Sequence, residues 1–237
     1  ITYSVGGLKI ANAVAQAFAE HSPVVVISGA PGTKERIHNT LLHHKVRAFD
    51  TQQKVFDELT VGTAVLDDPE TAADEIERVL ALATRLSQPV YIELPRDMVL
   101  AEIQPARRHA PALEPSDPEG LAAALGEAAA HIGAAKQPVI IAGEELHRFR
   151  LQGALGELVR RAGIPVAATI MGKSVFPESD PAYIGVYEGA MGREAVRDYV
   201  ENSDGIILLG AEMTDMNLGI YTAHIDRSAA IYAARDR

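Results

Sequence analysis

The sequence of 237 residues predicts an α/β fold, with two doubly wound, mainly parallel-sheet domains joined by a proline-rich linker. Three observations carry this reading. Four segments, at residues 22–27, 88–92, 137–141 and 164–168, repeat one pattern of X-Pro-Val running into a short apolar stretch. Helical periodicity fills the stretches before them, and prolines cluster where both patterns lapse. Proline is tolerated at the first residue of a strand, and a nearly unbroken apolar run implies burial on both faces, as in a parallel sheet covered by helices.

Taken in order, residues 8–18 place Ala11, Val14, Ala15 and Phe18 on one side of a helix, which leads into the strand at Val24-Val25-Val26-Ile27. From 69 to 86, Ala72, Ile76, Val79, Leu80, Ala83 and Leu86 recur at spacings of three and four. Acids lie early there and Arg78 and Arg85 later, as the helix dipole favours, so an amphipathic sheet-covering helix is expected. The strand Val90-Tyr91-Ile92 follows. Pro95, Pro105, Pro111, Pro115 and Pro118 then punctuate a stretch without periodicity, which reads as a linker at 101–117 between domains at 1–100 and 118–237. Beyond it, 121–132 and 151–162 are expected as sheet-covering helices before their strands, Gly205-Ile206-Ile207-Leu208-Leu209 as a fifth strand, and Ile231-Tyr232-Ala233-Ala234 as a last one. The missing Met and the strand-like ending lead us to expect a section of a larger protein, with the front of the first domain and the tail of the second lying outside it.

Composition narrows the function. Acidic residues outnumber basic ones, 32 to 22, for a formal charge of −10, which opposes binding to nucleic acid or anionic lipid. No run approaches the ~20 apolar residues of a membrane span. The absence of cysteine excludes disulfides and thiol chemistry and suits the cytoplasm.

Several local motifs bear on chemistry. Gly29-Ala30-Pro31-Gly32 follows the first strand, a polar loop is expected after it, and then Leu41-Leu42-His43-His44. Loops beyond parallel strands are where open α/β sheets hold ligands. His43 and His44 suit proton transfer or carboxylate binding, and equally a surface pair. With His38 they lack the i, i+4 spacing of a zinc site. Met171-Gly172-Lys173-Ser174 is no phosphate loop, because the required upstream glycine is Ala167 and Val175-Phe176-Pro177 follows instead of a helix. The second domain is Rossmann-like without a G-x-G-x-x-G fingerprint. Glu144 and Glu145 read as a solvated, dipole-stabilising pair at a helix start. Asp215, just past the strand at 205–210, fits a cap or turn as well as a site.

In this order, Thr2-Tyr3-Ser4-Val5-Gly6, Pro23-Val24-Val25-Val26-Ile27-Ser28-Gly29-Ala30-Pro31, Leu42-His43-His44 and Pro89-Val90-Tyr91-Ile92-Glu93-Leu94-Pro95 resemble the pyrimidine-binding domain of thiamine-diphosphate-dependent 2-oxo-acid decarboxylases. Ala168-Thr169-Ile170-Met171-Gly172-Lys173-Ser174 and Ala182-Tyr183-Ile184-Gly185 resemble the central domain of the same family. The resemblance implies that His43 and His44 position substrate and move protons, and that Thr2 and Val5 line the aminopyrimidine side of the cofactor pocket. It implies more weakly that Asp215 faces the substrate or a domain interface.

Further implications are thiamine diphosphate with Mg²⁺ as cofactors, a 2-oxo acid of phenylpyruvate, indolepyruvate or pyruvate type as substrate, and a homodimer or homotetramer. The family's activating glutamate belongs upstream of Thr2, and its Gly-Asp-Gly motif for the diphosphate and metal is absent from this sequence. The expectation is therefore a decarboxylase whose remaining cofactor ligands lie elsewhere. A non-catalytic assembly or effector-binding module, or a carboligase relative, is the alternative.

Overall fold

A computed structural model describes residues 1–107 and 117–235. The chain forms two compact units, Ile1–Pro115 and Ser116–Arg237, each an α/β layer structure in which every strand pairing is parallel. Of the linker expected at 101–117, residues 108–116 lie outside the described residues. No helix among the described residues is long and apolar enough to cross a membrane.

The first unit runs α1 (Val5–Leu8), α2 (Ala11–Ala19), β1 (Val25–Ala30), α3 (Thr33–His38), α4 (Thr51–Asp57), β2 (Thr63–Val65), α5 (Ala72–Leu86) and β3 (Val90–Pro95). Its sheet has the order β1-β3-β2, with Ile27 beside Ile92 and Ala64 beside Ile92 on the other side. One face is covered by Val79 and Ala83 of α5, the other by Val14 of α2 and Phe56 of α4, so the unit is wound on both sides. The central strand β3 is buried on both faces, as its apolar run predicts. The edge strand β1 is not. Val26 is 4% exposed but Ile27 is 55% exposed, because an edge strand here is covered on one face only. The reading of this run as doubly buried is thereby corrected.

The second unit runs α6 (Pro118–Ala134), β4 (Pro138–Ala142), α7 (Glu145–Arg148), α8 (Gln152–Ala162), β5 (Val166–Ala168), β6 (Tyr183–Val186), α9 (Glu194–Glu201), β7 (Gly205–Leu209) and β8 (Ala230–Ala233). The sheet order is β6-β5-β4-β7-β8, so the strand order reverses between β4 and β7. Leu155 and Val159 of α8 pack on one face and Val196 and Val200 of α9 on the other. Helix α6 departs from expectation. It forms at the expected place, capped by Asp117, whose side chain accepts from Glu119 N at 3.1 Å, but none of its residues is buried. Leu121 and Leu125 are more than half exposed. Eight alanines between 118 and 135 give it helix propensity without burial, so periodicity there marks a helix and not a sheet cover.

Candidate active site

The residues singled out in the first unit lie around the C-terminal end of β1. Past Ala30 the chain turns through Pro31-Gly32 into α3, where a polar loop was expected. Gly32 N donates to Glu35 Oε2 at 2.8 Å. Thr33 donates to Asp97, just past β3, from its backbone N at 3.0 Å and its hydroxyl at 2.7 Å. Helix α3 is thus pinned to the end of the neighbouring strand. It stops at Asn39, whose φ of 50° lies in the left-handed region that a short polar side chain tolerates.

The chain from 39 to 50 carries His43 and His44 in a turn. Lys45 Nζ donates to Asn39 Oδ1 at 2.6 Å and lies 4.1 Å from the Phe49 ring centroid, which folds the loop on itself. The two imidazoles stand with centroids 4.6 Å apart, and the Tyr3 ring lies 5.9 Å from His44. Tyr3 reaches this place because Ile1 runs alongside β1, its N donating to Ile27 O at 2.8 Å and its carbonyl accepting from Gly29 N at 3.0 Å. The backbone then turns at Ser4, φ 52°, into α1, with Thr2 packed over Gly6. The Thr2–Val5 turn and the histidine pair are therefore brought together through Tyr3. Thr2 and Val5 are both exposed, and Val5 presents apolar surface. Thr2 offers one hydroxyl and Val5 apolar surface, a lining that would suit the uncharged aminopyrimidine end of thiamine diphosphate.

Beneath the loop lies a buried polar group of residues that sequence reasoning missed. Gln52 Nε2, on α4, donates to Ser28 Oγ at 2.8 Å and to Tyr91 Oη at 2.7 Å. Tyr91 Oη donates to Glu93 Oε1 at 2.9 Å, and Arg36 Nη2, on α3, donates to Glu93 Oε2 at 3.3 Å. Burial pushes the Glu93 carboxyl above its ordinary range, opposed by the bonds from Tyr91 and Arg36. Burial, with the Glu93 charge beside it, also drives the Tyr91 hydroxyl up. A signal existed: Tyr91 and Glu93 are the two polar positions of β3 and share one face at a spacing of two. That Ser28 sits beside Glu93 follows only from the register.

In the second unit, Asp215 occupies an exposed turn, where its carbonyl accepts from Ile220 N at 2.7 Å. It belongs to the other unit from the histidine pair. Glu144 and Glu145 are buried, at 6% and 5% exposure, which corrects the solvated reading. Glu144 accepts from Glu212 N and from Thr169 Oγ1, each at 3.3 Å, and burial raises its carboxyl above the usual range. Glu145 Oε2 accepts from Arg235 N at 2.9 Å. These acids sit where the strand order reverses, the place at which open α/β sheets usually take a ligand. Here the chain segments that leave the two strands approach closely. A Cβ on Gly143 would lie 2.2 Å from Ala211 Cα, so the backbones after β4 and β7 are in contact.

Residues 125–234 match the family model described as thiamine pyrophosphate enzyme, central domain. Over 233 residues the chain is 45% identical to an indole-3-pyruvate decarboxylase of Azospirillum brasilense, covering 98% of the chain and 42% of that protein. It is 32% identical to pyruvate decarboxylase 1 of Pisum sativum over 243 residues, covering 100% of the chain and 41% of the relative. It is 30% identical to a pyruvate decarboxylase of Candida albicans over 226 residues, 93% of the chain and 40% of the relative. The chain thus spans about two fifths of the length of these relatives.

Proposed function

We propose that the chain, whose residues 125–234 match the central domain of thiamine pyrophosphate enzymes, serves the non-oxidative decarboxylation of a 2-oxo acid to an aldehyde and carbon dioxide. One observation carries this reading: the adjacent histidines His43 and His44 stand on a loop at the C-terminal end of a parallel sheet, against the Thr2–Val5 turn. The chain's similarity to indole-3-pyruvate and pyruvate decarboxylases supports the substrate class.

When bound, thiamine diphosphate supplies the electron sink that decarboxylation of a 2-oxo acid requires. Thr2 and Val5 hold its pyrimidine side, Val5 by apolar contact. His43 and His44 orient the substrate carboxylate by hydrogen bonds. One of their ring nitrogens then carries the proton that completes the aldehyde. The Tyr3 ring lies beside His44. Mg²⁺ accompanies the diphosphate through ligands outside this sequence, which holds no Gly-Asp-Gly. In this reading the first unit is the pyrimidine-binding domain, and Asp215 faces substrate or a domain interface. The working form is a cytoplasmic homodimer or homotetramer.

The test is an assay of the complete protein carrying this chain, with thiamine diphosphate and Mg²⁺, against phenylpyruvate, indolepyruvate and pyruvate. Saturable release of aldehyde and carbon dioxide in equal amounts from at least one of them is expected. Cofactor binding without aldehyde from any of the three contradicts the proposal.

A further inference from the structure

The loop at 39–50 leaves α3 at one end and enters α4 at the other, and both helices are tied to one buried carboxylate. Glu93 is 3% exposed and lies on β3, under the loop's two stems. Its Oε2 accepts from Arg36 of α3 at 3.3 Å. Its Oε1 accepts from Tyr91 Oη at 2.9 Å, and that oxygen accepts in turn from Gln52 of α4 at 2.7 Å. The two oxygens of a single side chain therefore serve two different helices.

A buried carboxylate is costly unless its hydrogen bonds are made, so its partners are held in place as firmly as it is. Moving α3 parts the Glu93 charge from Arg36, and moving α4 strands the buried Gln52 amide that donates to Tyr91. Gln52 and Tyr91 are themselves buried, at 3% and 0% exposure, and the Tyr91 ring stacks on Phe56 of α4 at 4.4 Å with an interplanar angle of 2°. The α4 arm is consequently rigid through packing as well as through hydrogen bonds. Arg36 also donates from Nε to Pro31 O at 3.3 Å, which sets the guanidinium for the α3 arm.

We propose that Glu93 is a positioning residue for the histidine loop, fixing one stem through Arg36 and the other through the Tyr91–Gln52 pair. For the loop's order this stands on geometry alone, and its consequence for decarboxylation rests on the function proposed above.

Glu93→Gln keeps the shape and can still accept from Tyr91, but sets an amide N–H against the Arg36 guanidinium. Arg36→Leu cuts the α3 arm alone and Tyr91→Phe the α4 arm alone, so a folding failure in one variant leaves the others to read. Hydrogen exchange in the complete protein is expected to speed up at 39–50 in each variant roughly tenfold or more beyond any change at β3 and α5. Under turnover, kcat is expected to fall about tenfold or more, with KM within about twofold of the parent. Arg36→Lys should recover part of the loss. Unchanged loop exchange in Glu93→Gln, or faster exchange spread evenly over the first unit, overturns the proposal. Localised exchange changes in a protein that shows no decarboxylation uphold it while refuting the assigned activity.

Discussion

The side-chain amide of Gln52 donates to the Tyr91 hydroxyl at 2.7 Å, in a core where both residues are buried. Tyr91 hands the bond on to Glu93, so its hydroxyl links an amide to a carboxylate. Tyr91→Phe preserves the ring stack on Phe56 but strands a buried N–H and a buried carboxylate oxygen. The expected cost is about 1–3 kcal/mol of unfolding free energy, read from urea denaturation. A loss below ~0.5 kcal/mol would show that both stranded groups find other partners.

Glu144 predicts a pH dependence. Burial holds its folded-state carboxyl above the ordinary value of 4.5, so the folded state binds this proton more tightly than the unfolded one. As pH rises from that value through the raised folded one, the unfolded chain releases the proton first, and stability falls. Glu144→Gln keeps an acceptor for Glu212 N and removes the titration. The variant's Tm should overtake or approach the parent's steadily as pH increases from about 4.5 towards neutrality. Parallel Tm curves for the two proteins would refute the assignment.

Two glycines predict opposite signs. A Cβ at Gly143 would meet Ala211 Cα and Gly210 O at 2.2 Å, backbone that cannot yield cheaply. Gly143→Ala should destabilise by about 3 kcal/mol or more and disturb the junction between β4 and β7. Gly126, inside α6, has nothing within 4 Å of the same position, and its helix is exposed. Gly126→Ala should stabilise by roughly 0.5–1 kcal/mol. Thermal melts of both variants check the pair, and similar losses in both would contradict the packing described.

Much of this architecture was legible in the sequence, and the exceptions have physical reasons. Val139-Ile140-Ile141 announced a doubly buried strand because a central strand needs apolar residues at every position. Ile27 follows the same rule in composition but lies at an edge, and composition alone does not place a strand in its sheet. The elements β2, β6, α3 and α4 span three to seven residues each, too short for a periodic signal, and their order comes from partners distant in the chain. Thr33 is held by Asp97, and Arg36 by Glu93, across about sixty residues, with no local trace. The histidine pair stood out because His43 and His44 are the one adjacent pair among 8 histidines and follow a strand. Glu93 did not, because its partners Arg36, Ser28 and, through Tyr91, Gln52 lie more than forty residues away in the chain and only the fold brings them to it.

The most direct test of the account is aldehyde release by the complete protein after His43→Ala and His44→Ala substitution, singly and together, with cofactor binding followed in parallel. A loss of about a hundredfold or more in kcat, with the cofactor still bound and the fold intact, is predicted. Aldehyde release at the parent rate from the double variant would contradict the role of the pair, and with it the central claim.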